Sequence, residues 1–201
     1  ICHCLVGSEM CIRDRSIRRR AAIIGGHNMD DYPLKMHVFN RARLIKNSKN
    51  RIPYGVDLIQ KYKRESWIVF TENKKQAKEF NKIINTKGFK SALYNTDLDS
   101  AERLENLNKF KKADLNVLVT CTALDEGFDM PEADGALILS ASSSKRQRVQ
   151  RMGRVLRITE NKPNALIVTV YSSKTEFDKL MEEAKRYHKE GVPVSWKRQD
   201  R

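Results

Sequence analysis

The chain has 201 residues, 40% hydrophobic and 32% charged, enough for one sizeable core with a short appendage. No apolar run approaches the ~20 residues that a bilayer-crossing helix needs. Thirty-nine Lys and Arg against twenty-five Asp and Glu leave a net charge of +14. That balance predicts attraction to a polyanion, most simply nucleic acid, and the absence of a strongly amphipathic basic helix argues against a membrane surface.

At the start, Cys2, His3, Cys4 and Cys11 are clustered, but not at the two-to-four spacing of zinc ligands repeated later in a chain. The run LVGSEMCIRD (residues 5–14) resembles one reading frame of a transposon-end adapter used in building sequencing libraries. Residues 1–15 are therefore set aside as an expected assembly artefact, as a tag would be. Cys121 is then the one thiol left, so neither a disulfide nor zinc is expected, and a lone thiol fits a reducing cytoplasm.

Residues 16–31 are basic and then turn-like, with a short strand possible at 21–24. Met36, Phe39, Ala42, Leu44 and Ile45 predict a helix over 35–46, and residues 47–53 break it. Val56, Ile59 and Tyr62 continue a second helix up to the first clear strand. From there strands and helices alternate. SWIVFT (66–71) is a short continuous apolar run, as a buried parallel strand requires. Residues 73–86 read as a helix with Ala77, Phe80, Ile83 and Ile84 inward, ending at Gly88. SALYN (91–95) is a strand, and Asp99 opens a helix in which Leu104, Leu107 and Phe110 keep the helical period. NVLVTC (116–121), GALILS (135–140) and ALIVTV (165–170) are three further buried strands. A helix over 173–189 follows, then a polar basic tail over 191–201, in which Trp196 reads either as a base-stacking ring or, in preference, as a packing residue at the domain edge. The alternation predicts an α/β sandwich with a mainly parallel sheet, whose ligands gather at the carboxyl ends of the strands.

Three patches fall at such ends: FTEN (70–73), TCTALDEGFDMP (120–131) and QRMGRVLR (150–157). In the last, Arg151, Arg154 and Arg157 are three apart and share one helix face. Three guanidinium groups on one face repel each other in a core but suit phosphate oxygens, which each planar fork holds bidentately; a solvated basic helix is the plainer reading. In the middle patch Thr120 and Thr122 offer hydroxyls and backbone N–H groups where a helix begins, Gly127 permits close approach, and Asp129 can accept from sugar hydroxyls. The same residues also read as a capped short helix stopped by Pro131.

Together these patches resemble the second RecA-like domain of superfamily 2 helicases and translocases. Phe70 and Thr71 match motif IV, 120–129 motif V, and Gln150 to Arg157 motif VI in its QRxGRxxR form. The resemblance covers about residues 49–187, and its wording is closest to the repair-type and restriction-type DNA helicases. It implies a RecA-like three-layer sandwich and an ATP site shared with a first motor domain. By motif position Arg154 and Arg157 would be arginine fingers, and Gln150 and Arg151 would couple nucleotide to nucleic acid. Gly127 and Asp129 would lie near the ribose or the domain interface. Phe70, Thr71, Thr96, Thr120 and Thr122 would lie along the phosphodiester track of a bound DNA strand, with RNA not excluded.

No GxxxxGK[ST] loop and no DExx box in strand context occurs, so the phosphate loop and the Mg²⁺ ligands are expected on a first domain outside these residues. The expected organisation is residues 16–48 leading in from that domain, 49–190 forming the motor domain, and 191–201 the tail. The chain alone is expected to be inactive, as a truncated piece. The alternative is a non-catalytic basic α/β module that binds nucleic acid.

Overall fold

The structure, a computed structural model, describes residues 2–6, 32–121, 132–140, 165–189 and 191–198. The helices are α1 (Tyr32–Lys46), α2 (Arg51–Tyr62), α3 (Lys74–Thr86), α4 (Ser100–Lys111) and α5 (Lys174–Lys189). The strands are β1 (Cys2–Val6), β2 (Trp67–Thr71), β3 (Ser91–Tyr94), β4 (Val117–Cys121), β5 (Gly135–Ile138), β6 (Leu166–Tyr171) and β7 (Val194–Arg198). They form one seven-stranded sheet in the order β3-β4-β2-β5-β6-β1-β7, and every recorded pairing is parallel. No described helix is long and apolar enough to cross a membrane.

Local chemistry sets the helix ends. The Asn73 side chain accepts from the Gln76 N–H at 2.9 Å, while the Gln76 side chain accepts from the Glu72 N–H at 2.9 Å, a reciprocal cap on α3. Asp99 caps α4 by accepting from Glu102 N–H at 2.6 Å. Gly88, at φ +86°, lets the chain leave α3 in a left-handed conformation. The break expected over 47–53 is shorter than that, because α2 already starts at Arg51. Pro53 falls in its first turn, where a missing N–H breaks no helical bond.

The apolar strands bury both faces. Trp67, Val69, Val117, Val119, Leu137 and Val168 pack under α2 and α3 with Val56, Ile59, Ala77, Phe80 and Ile84. Ile68, Phe70, Leu118, Ala136, Ile138 and Ile167 face the other way, against Leu107 and Phe110 of α4. Neighbouring strand residues alternate between these two cores, as the pleat requires. Leu104, expected inward, is 58% exposed. The buried stripe of α4 is rotated toward Asn106, whose amide donates to Leu93 O at 3.1 Å, and this turns Leu104 to solvent.

At the other edge, Cys2–Val6 pairs with β6 on one side and β7 on the other, within the segment set aside on its wording. The expected polar tail also contains a strand. Trp196 packs edge-on against Tyr171 and Phe177, with ring centroids 6.3 and 5.1 Å away. This is the packing role read for it, and burying this indole gives the segment a reason to order.

Candidate functional site

Because the strands are parallel, the carboxyl ends of β4, β2 and β5 lie side by side on one edge. Two of the patches singled out in the sequence begin at such ends, FTEN at the end of β2 and the 120–131 segment at the end of β4, whereas QRMGRVLR (150–157), which follows β5 in the chain, lies outside the described residues. The chain winds from β2 out to β3, back to β4, and then crosses β2 to reach β5. Such a reversal opens the crevice where α/β sheets bind ligands.

Four of the expected site residues are described. Thr96 is exposed, in the turn after β3. Phe70, expected along a nucleic-acid track, is 2% exposed and belongs to the core facing α4. Its ring packs in that core, on the sheet face opposite the one that Trp67 and Val69 share with α2 and α3. Thr71 and Thr120 are 3% and 2% exposed, and the Thr71 hydroxyl donates to Thr120 O at 3.1 Å, stitching β2 to β4. Their hydroxyls serve the sheet, so any grip on a phosphate from these positions would use backbone groups. Thr122, Gly127, Asp129, Gln150, Arg151, Arg154 and Arg157 lie outside the described residues.

Sequence reasoning missed the most heavily bonded side chain among the described residues of this edge. Arg51, at the start of α2, is 1% exposed. It donates through Nη1 to Leu139 O at 2.5 Å and Val170 O at 2.8 Å, and through Nη2 to Ser172 Oγ at 2.6 Å. Nη2 also meets Glu176 Oε1 and Oε2 at 2.8 and 2.6 Å, and Nε reaches Ile45 O at 3.2 Å. One guanidinium thus joins the last turn of α1 to the carboxyl ends of β5 and β6 and to the first turn of α5. Only a planar fork with five donors can do this, which a lysine could not reproduce. Arg51 sits 125 positions from Glu176. No periodicity or motif announces a pairing at that separation.

Among the other described residues near this edge, three lysines are held by carboxylates. Lys46 pairs with Glu72 at 2.8 Å, and Asp97 accepts from Lys74 and from Lys78, the latter at 3.0 Å. The hydrogen bonds from Lys74 and Lys78 hold the Asp97 carboxyl below its ordinary range. Burial pushes the Cys121 thiol up. Among the described residues no group of three or more His, Cys, Asp or Glu is placed to hold a metal ion.

Comparison with known proteins agrees with this geometry. The DNA 3'-5' translocase XPB2 of Sulfurisphaera tokodaii is 36% identical over 129 residues, covering 64% of this chain and 28% of that protein. UvrABC system protein B of Fusobacterium nucleatum is 31% identical over 125 residues, covering 59% of this chain and 19% of that one. The chain thus spans less than a third of either relative. Among solved structures, the C-terminal domain of the DEAD-box protein Dbp5 superposes with a TM-score of 0.66 at 19% identity, covering 76% of this chain and 86% of that one. The fold is accordingly the RecA-like α/β sandwich with a parallel sheet that the sequence implied. The family model for the helicase conserved C-terminal domain matches residues 50–159, more than half of the chain, and the chain belongs to that family.

Proposed function

We propose that this chain is the second motor domain of an ATP-dependent helicase or translocase acting on DNA. The observation that carries the reading is that the segments matching motifs IV and V start from the adjacent ends of β2 and β4, while the motif VI segment follows in the chain after β5, the next strand on that edge. A nucleotide and a nucleic-acid backbone need such a set of converging donors. The choice of DNA rests on the QRMGRVLR wording and on the printed name of the S. tokodaii relative; an rRNA helicase is also among the matches.

In this reading ATP with Mg²⁺ supplies the free energy of phosphate hydrolysis, and its phosphate loop and metal ligands come from another domain. Arg154 and Arg157 reach across the domain boundary to the terminal phosphate, where such fingers contribute roughly 10³–10⁵ in rate. Gln150 and Arg151 link that site to the bound strand. Gly127 and Asp129 sit toward the ribose, and Thr96, Thr122 and the backbone at Thr71 and Thr120 follow the phosphodiester track. Closure against the partner domain and its release would move the protein along one strand. The domain alone would not hydrolyse ATP.

The test is Arg157→Ala in a protein that carries this domain beside a phosphate-loop domain. DNA-stimulated ATPase should fall by at least about 10³-fold while DNA binding persists. Retention of most of the ATPase would remove the finger assignment. A non-catalytic module would instead bind DNA with an affinity indifferent to nucleotide.

A further inference from the structure

Lys74 opens α3 directly after its cap, and Lys78 follows one turn later, so both ammonium groups stand at the carboxyl edge of the sheet. Both are already engaged. Asp97 Oδ1 accepts from Lys74, and Oδ2 accepts from Lys78 at 3.0 Å. The Asp97 carboxylate is not a loose surface group, because its own turn is anchored. The side chain of Asn95, 3% exposed, accepts from the Asp97 N–H at 3.0 Å, and Asn95 O accepts from Leu98 N–H at 3.3 Å. The three charged side chains themselves are open to water, at 47% for Lys74, 59% for Lys78 and 34% for Asp97. Thr96, exposed beside Asp97, belongs to the expected nucleic-acid track.

Exposed ion pairs of this kind are weak because water screens them, so an arriving phosphate can take the lysines at little cost. The Asp97 backbone cannot follow them away, since Asn95 holds its turn, so the carboxylate stays within reach of the two lysines. It stays next to the phosphate as a like charge and as a competitor for the same two donors.

We propose that Asp97 is a built-in counter-ion that competes with the nucleic-acid backbone for Lys74 and Lys78 and thereby weakens the grip on the strand. The inference rests on the nucleic-acid reading above and deepens it by assigning an affinity-setting residue to that edge. A domain that must release the strand at each step gains from a carboxylate that takes the lysines back.

The test is fluorescence anisotropy of a labelled single-stranded oligo(dT) titrated with the 201-residue chain, across a series of salt concentrations. Wild type is compared with Asp97→Asn, with Lys74→Gln/Lys78→Gln, and with the triple variant. Circular dichroism confirms that each is folded, and Asp97→Ser serves as a second removal of the carboxylate. Asp97→Asn and Asp97→Ser should both bind more tightly. Their log K against log salt should be steeper by about 0.7 for each lysine released, about 1.4 for both. The lysine substitutions should cost little beside Asp97 and should cancel the gain in the Asp97→Asn background. If wild type binds in a salt-dependent way and Asp97→Asn matches it in affinity and slope, the counter-ion role fails and the nucleic-acid reading survives. A gain that persists without the two lysines likewise overturns the role, since it reflects net charge alone. Wild type showing no binding at low salt overturns both.

Discussion

Arg51→Met should destabilise the domain far more than most single substitutions. The methionine fills a similar apolar volume but provides no donors. Glu176, whose side chain is 12% exposed, would lose its cation, and Leu139 O and Val170 O would lose a charged donor. Removing one partner of a buried pair costs about 3–5 kcal/mol, against a total stability of about 5–15 kcal/mol for an ordinary domain. The assay is equilibrium urea unfolding followed by circular dichroism. With a slope of about 2 kcal/mol per molar, the midpoint should fall by about 1.5–2.5 M at unchanged slope. Arg51→Lys should fall between the two, because an ammonium cannot span α1, two strand ends and α5 at once. Adding Glu176→Leu to Arg51→Met should recover part of the loss, since an apolar pair leaves no uncompensated charge. A midpoint shift under about 0.5 M for Arg51→Met would refute the reasoning. It would mean that water or a side-chain shift satisfies those oxygens.

Gly135→Ala should lower the melting temperature, because a Cβ at that position would lie 2.6–2.7 Å from three ring atoms of Trp67, which is fully buried. Overpacking of this kind costs about 1–3 kcal/mol, and each kcal/mol moves the midpoint of a domain this size by about 2–4 °C, readable by calorimetry. An unchanged midpoint would show that the Trp67 pocket is looser than described. Cys121 should alkylate slowly in the folded chain at neutral pH, because burial raises its thiol above the ordinary range and withholds the thiolate. Peptide-resolved iodoacetamide labelling would check this, and a rate equal to that in urea would contradict it. The sign for stability follows from the same shift. The folded thiol holds its proton more tightly than the unfolded one, so its contribution is present below the ordinary thiol range and is lost as pH rises through the folded value.

The amino-acid sequence alone determined the class of fold and the order of the described elements between residues 32 and 189, but not the two strands at 2–6 and 194–198. Continuous apolar runs such as WIVFT and VLVTC, short and rich in β-branched residues, read as strands buried on both faces, and Asn73 and Asp99 mark helix starts through short-range bonds that depend on no other part of the chain. Motif wording carried the family for the same reason, since QRMGRVLR and its distance from motif V are written in one dimension. What only the tertiary structure decided is orientation and long-range pairing. Phe70 and Thr71 are adjacent in a motif, yet the pleat turns the ring into the α4-side core, and β4 takes up the neighbouring hydroxyl. Leu104 keeps the helical period but faces water, because the bond from Asn106 to β3 sets the rotation of α4. Nothing in the sequence marks Arg51 or Asp97, and only the fold brings Glu176 to one and two lysines to the other. A residue's local sequence sets its backbone, whereas the value of a charge depends on which distant groups share its site and how much water is left between them.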